Sequence, residues 1–180
     1  MKIIDKDSIV KGQTDRLFEE IEILIKLEHP NITKIYEYYN CKNNIYIISE
    51  YLDDGTLLDK LRELYSFSEL IIKYLMSQIL DEIKYLQKNS VFHGDIKLEN
   101  IMLFSTSSKR GKRFTILNEE INSNSNLQNE IENNYKGNSD YIYEILKYEI
   151  KLIDFGCSKY LNKKKDNELS GIVGTNIYTP

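Results

Sequence analysis

The sequence predicts an α+β domain in two parts, a strand-rich first part with one helix and a longer, mainly helical second part. Three observations carry this. Leu17, Ile21, Leu24 and Ile25 recur at helical spacing within 15–27, with acidic residues on the opposite face. Two runs rich in Ile and Tyr, 32–39 and 45–51, flank a polar turn at 40–44, the pattern of an antiparallel hairpin. After Ser68, a natural helix cap, Leu70, Ile71, Tyr74, Leu75, Ile79, Ile83 and Leu86 mark a long amphipathic helix.

The remaining elements follow in order. Ile3 and Ile4 end a short strand, and His29, Pro30 and Asn31 stop the first helix because proline cannot continue it. Asp53, Asp54 and Gly55 form a turn into a short helix from about Thr56. From about 105 to 141 the pattern breaks. This tract opens on the basic stretch 109–113, and eight of the 23 residues at 118–140 are Asn. So polar a segment buries too little surface to offset its ordering entropy, and it is expected to be a disordered insertion within one domain. Periodicity returns at 141–153 and ends in an apolar strand at 150–153. No internal repeat is visible.

Composition narrows the class. At 180 residues and 41% hydrophobic, the chain is long enough for one core. A net charge of −4 gives no reason to expect a nucleic-acid or anionic-membrane partner. Cys41 and Cys157 stand far apart, match no metal-ligand spacing and make no CxxC site, so a cytoplasmic, reducing setting is expected. No apolar run reaches the length of a spanning helix, and Asp5 interrupts the N-terminus too early for a secretory signal.

The chemistry-bearing residues are concentrated in two short stretches. His93, Gly94, Asp95, Ile96, Lys97, Leu98, Glu99 and Asn100 run in succession, and Ile153, Asp154, Phe155 and Gly156 follow the last strand. The first resembles the protein-kinase catalytic loop and the second its Asp-Phe-Gly turn, in the family's order. The resemblance implies a bilobal protein-kinase-like fold. Residues 1–51 would be a partial N-lobe of strands plus a C-helix and hinge, and 52–180 the first half of the helical C-lobe. It also implies ATP-dependent phosphorylation of serine or threonine in protein substrates, with ATP and Mg2+ as cofactors. Phosphoryl transfer asks chiefly for positioning and charge stabilisation. In that scheme Asp95 is the catalytic base and Lys97 neutralises the transferring phosphate, while Asn100 and Asp154 are the metal ligands. Lysine two places after the base resembles the serine/threonine class.

Further matches complete the site. Lys2 resembles the lysine that grips the α- and β-phosphates, and Glu20, 18 positions on, its helix partner, so the two are expected to form an ion pair. Residues 45–52 resemble the strand into the hinge, where backbone groups near Glu50 and Leu52 would bind adenine and Ser49 is the gatekeeper. Gly174, Thr175 and Pro180 resemble the end of an activation segment. The run Glu19, Glu20, Ile21, Glu22, Ile23, Leu24 and the later Leu27, Glu28, His29, Pro30, Asn31, Ile32 are similar to the calcium- and calmodulin-dependent kinase group.

Departures from the pattern set further expectations. The family's glycine-rich loop would precede Lys2, and the Ala-Pro-Glu motif and substrate-platform helices would follow Pro180. The 180-residue piece is therefore expected to bind ATP weakly and to phosphorylate nothing by itself, with any regulatory domain outside it. Gly94 replaces the arginine that reads an activation-segment phosphate, so phosphorylation near Ser170 is not expected to be the main switch. Asp154 follows Asn100 by 54 positions, where the family has a short strand pair.

Blander readings stand beside these. His93 is read as a packing residue under Phe155, and Leu24 and Ile35 as core. The basic runs 109–113 and 163–165 are read as solvated. Nothing in the sequence marks Cys157 as a reactive thiol. The competing function is a pseudokinase or truncated kinase-like module that binds a partner without transfer, although Asp95, Lys97, Asn100 and Asp154 are all of competent type.

Overall fold

The computed structural model describes residues 1–10, 12–105, 119, 123–125, 128 and 146–161. Most of the Asn-rich tract lies outside the described residues, as do the basic runs 109–113 and 163–165, Ser170, Gly174 and Thr175.

The first part is a three-stranded antiparallel sheet in the order β1-β3-β2, with β1 at Lys2–Asp5, β2 at Ile35–Asn40 and β3 at Asn44–Ser49. Lys2 pairs with Ile47, and β2 carries an irregularity between Ile35 and Glu37 that re-aims the strand as it leaves the sheet. Helix α1, Thr14–Lys26, lies against this sheet. Its buried face is rotated from the one expected: Ile21, Ile23 and Leu24 are buried, whereas Ile25 is exposed. Ile23 shares its arc with Glu20 and Leu27, so packing against the sheet decided which of two nearly equal stripes turned inward.

The strand expected from residue 32 begins only at Ile35. Ile32 leaves the first sheet to bridge Leu152 in parallel, and Thr33 N–H donates to Leu152 O at 3.0 Å. The two parts of the chain are stitched together here.

In the second part α2, Leu57–Leu64, starts at Thr56, whose side chain and that of Asp59 cap each other's backbone N–H groups. Ser68 caps α3, Glu69–Lys88, by accepting from Ile71 N–H at 3.2 Å. Gln78 and Glu82 are fully buried on α3, whereas Ile83, expected in the core, is exposed together with Ile72, Met76 and Leu80. Two short antiparallel pairs carry the remaining loops. Strand β4, Val91–Phe92, pairs with β7, Lys159–Tyr160, and β5, Ile101–Ser105, pairs with β6, Tyr148–Leu152. A single apolar cluster joins both parts, running from Ile21 and Ile45 to Leu103, Leu152 and Phe155. No helix among the described residues is long and apolar enough to cross a membrane.

Candidate active site

Residues 93–100 connect β4 to β5, and the chain from Leu152 to Lys159 connects β6 to β7, so two antiparallel pairs hold the two loops side by side. Within the first loop Asp95 is the hub. Its Oδ2 accepts from Lys97 Nζ at 2.8 Å and from Asn100 Nδ2 at 3.1 Å, and Asn100 Nδ2 also donates to Asp95 O at 2.9 Å. The Asp95 and Lys97 side chains are only 12% and 15% exposed, which strengthens the pair relative to one in open water. The Asp95 hydrogen bond and charge push the Lys97 ammonium above its ordinary pKa, holding it cationic.

His93 supports the hub from beneath. Its Nδ1 accepts from Asp95 N–H at 3.2 Å while Nε2 lies 3.3 Å from Ile153 O, so both contacts are met when the proton sits on Nε2. Burial lowers the His93 pKa, favouring this neutral form against the pull of the Ile153 carbonyl, Asp154 and Asp95. The ring meets Phe155 edge-on at 4.6 Å between centroids, and Phe155 is fully buried. His93 is thus structural, as read from the sequence; Leu24 and Ile35 are buried in the same core.

Ile153 N–H donates to Asn100 O at 2.9 Å, which ties the second loop to the first one residue before Asp154. Asp154 adopts a left-handed backbone with φ of 59°, unusual for a residue with a side chain. The turn lets its Oδ1 accept from Gly156 N–H at 3.2 Å. A Cβ on Gly156 would come within 3.2 Å of that oxygen, so a side chain there would require the Asp154 carboxylate to give by a few tenths of an ångström.

Between the two parts of the chain lies a cleft of about 550 Å³. Lys2, Glu20, Ser49, Glu50, Leu52 and Asp154 all line it, with Ile47, Met102 and Ile153 among its apolar walls. Glu50 N–H is spent on Lys34 O at 2.9 Å, whereas neither Glu50 O nor Leu52 N–H makes a hydrogen bond within the described residues. An acceptor and a donor two residues apart are therefore left open on residues that line the cleft. The Glu50 carboxylate points elsewhere, to Lys151 Nζ at 2.9 Å.

One expected contact is absent. Lys2 and Glu20 both reach the cleft, yet no ion pair within 4 Å joins them. Burial raises the Glu20 pKa more than Lys2 lowers it, and Asp154 raises it further. Glu20 thus shares its space with a second acid, and the lysine influences it without closing on it. Asp95, Lys97 and Asn100 lie outside the cleft lining and reach it through the Asn100–Ile153 link.

The oxygen chemistry suits a hard divalent cation. Asn100 offers its amide oxygen, because its Nδ2 is occupied by Asp95, and Asp154 keeps Oδ2 beyond its bond to Gly156. Among the described residues no group of three His, Cys, Asp or Glu is placed to hold a metal ion.

A protein kinase domain model matches residues 1–180. The chain belongs to the protein kinase family. The meiosis-specific serine/threonine-protein kinase mek1 of Schizosaccharomyces pombe is 34% identical over 180 residues, which is 99% of this chain and 31% of that protein. Calcium/calmodulin-dependent protein kinase type 1 of Macrobrachium nipponense is 37% identical over 105 residues, covering 58% of this chain and 30% of that one. Calcium-dependent protein kinase 6 of Plasmodium berghei is 42% identical over 106 residues, 59% of this chain and 7% of its own length. This kinase chain thus spans less than a third of the curated relatives it matches, and its resemblance to the serine/threonine and calcium-dependent groups stands.

Three buried polar residues that tie together the elements around the site stand out only in the structure. Gln78 and Lys151, buried polar positions on α3 and β6, carry no periodic signal, and Asn31 enters the sequence reading only in the helix stop and in the run 27–32 that resembles the calcium- and calmodulin-dependent group. The proline beside Asn31 was the one available hint that the loop has a fixed shape.

Proposed function

We propose that this kinase chain holds ATP in the cleft and, as part of a longer protein, transfers its γ-phosphoryl group to serine or threonine in protein substrates. The observation that carries the reading is the hub at Asp95, a carboxylate held by Lys97 and Asn100 and linked through Ile153 to the carboxylate of Asp154. In this reading Glu50 O and Leu52 N–H bind the adenine edge, Ser49 borders the pocket behind it, and Lys2 meets the phosphates with Glu20 behind it. Asp95 accepts hydrogen-bond donation from the acceptor hydroxyl and takes its proton as the bond to phosphorus forms. Lys97, held cationic, faces the negative charge on the transferring group. Asn100 and Asp154 would hold Mg2+, which supplies charge neutralisation between the phosphates when bound. The N-lobe lies in residues 1–51 and the C-lobe begins at 52.

Titration of the purified chain with ADP, with and without Mg2+, tests the reading. Metal-dependent binding that Asp154→Asn removes supports it, and binding indifferent to both overturns it. The separated Lys2 and Glu20 favour a second reading, a kinase-like binding module without transfer. Incorporation of labelled phosphate into a serine peptide, lost in Asp95→Asn, would exclude that module.

A further inference from the structure

The segment between α1 and β2 is tied to the second part of the chain by a cluster of hydrogen bonds centred on Asn31. Asn31, only 3% exposed, donates through Nδ2 to Gln78 Oε1 at 3.0 Å and to Ile150 O at 2.8 Å. Gln78, fully buried on α3, uses the same Oε1 to accept from Ile150 N–H at 3.1 Å. Asn31 O accepts from Leu152 N–H at 2.8 Å, and its own N–H donates to His29 Nδ1 at 3.2 Å. One side chain on the loop leading out of α1 therefore grips both α3 and β6. Helix α1 carries Glu20, and β6 runs directly into Asp154.

Resting on the nucleotide reading above, we infer that Asn31 is a positioning residue for the metal end of the site, acting through Gln78 and β6 on Asp154. Its side chain grips Ile150, four residues before Asp154, and its backbone carbonyl grips Leu152, two residues before it and roughly 7 Å away along an extended chain. Asn31 holds Leu152 and Asn100 holds Ile153, so the turn at Asp154 hangs from a strand end whose position both bonds set together. The residue is not catalytic, since it touches neither the cleft nor the Asp95 hub.

A second tie on the same loop provides the control. Tyr85 Oη accepts from Glu28 N–H at 2.8 Å, and its ring lies 4.8 Å from that of His29, joining the loop to α3 with no hydrogen bond to β6 among the described residues. If the ties only hold the two parts together, Asn31→Ala and Tyr85→Phe act alike. If Asn31 sets Asp154, they separate.

The experiment is calorimetric titration of the full chain with ADP in Mg2+ and in chelator, with circular dichroism to verify folding. Asn31→Ala is expected to weaken Mg2+-dependent ADP binding about tenfold, the loss of two buried hydrogen bonds' worth of order, with metal-free binding within about twofold of natural. Tyr85→Phe is expected to leave both within about twofold. Should Asn31→Ala fail to fold, Gln78→Asn, which draws the accepting oxygen back by one methylene, is expected to show the same selective loss. Equal loss from Tyr85→Phe, or metal-dependent binding unchanged in Asn31→Ala or Gln78→Asn, overturns the positioning role alone. A natural chain whose ADP binding ignores metal overturns the functional reading and this role with it.

Discussion

Replacing Asn100 by Asp probes the Asp95 hub directly, because it swaps a donor for a second carboxylate of nearly the same shape. Asn100 Nδ2 now lies 3.1 Å from Asp95 Oδ2 and 2.9 Å from Asp95 O. Two unit charges at that separation repel by about 5 kcal/mol at an effective dielectric constant of about 20. Lys97, at 2.8 Å from Asp95, offsets part of this, while the lost hydrogen bonds cost about 1 kcal/mol each. A net loss of about 3 kcal/mol at about pH 8 would lower Tm by roughly 6–12 °C.

The pH dependence gives the test its direction. Repulsion raises a folded-state carboxyl above its unfolded pKa, so the repulsive part of the loss is absent below the carboxylate range near pH 4 and grows as pH rises through the raised value. Thermal melts of Asn100→Asp at about pH 5 and about pH 8 should show the smaller deficit in acid. Asn100→Ala, which loses the bonds without adding charge, should show a deficit that pH leaves unchanged. Equal deficits for Asn100→Asp at both pH values would refute the geometry of the hub.

Phe155→Ala removes a fully buried ring that supports His93 and is expected to cost about 3–5 kcal/mol in urea unfolding; a loss under about 1 kcal/mol would mean the core closes without it. His93 has its pKa lowered by burial, so it adds stability above its unfolded pKa of about 6.5, and that stability is lost as pH falls through the folded value. The stability gap between the natural chain and His93→Gln should therefore narrow below about pH 6.5, and a constant gap would count against the neutral tautomer. Ser49 borders the cleft with a small side chain, so ATP-competitive compounds carrying a bulky substituent should bind the natural chain and lose binding to Ser49→Met. Equal affinity for both would place that substituent elsewhere.

Much of the frame was legible because it rests on local patterns. The hairpin of β2 and β3, the Ser68 cap and the strand at Lys2–Asp5 follow from alternation, turn chemistry and capping. Asp95, Lys97, Asn100 and Asp154 could be picked out because they stand together in two short motifs, whereas Lys2, Glu20, Ser49, Glu50 and Leu52 were placed only through the resemblance. What escaped was set by tertiary packing. The inward turn of Ile23 in place of Ile25, and of Gln78 and Glu82 in place of Ile83, depends on what the helices meet rather than on period. The Lys2–Glu20 contact failed for a related reason, since residue type and spacing place two charges near one cleft but do not fix their separation.

The pairing of β4 with β7 engages only Val91 with Tyr160 and Phe92 with Lys159, extended by Leu161 N–H to Ser90 O at 2.8 Å. So brief a zipper is a mechanical fuse. It begins immediately before His93, and Ser158 Oγ donates to His93 O at 3.3 Å just beside it. The strand β7 that leads out of the site is therefore held to the footing of Asp95 by a handful of hydrogen bonds, with Lys26 over the Tyr160 ring beside them. If the fuse opens, the hub loses its support before the large core around Leu103 and Leu152 is disturbed.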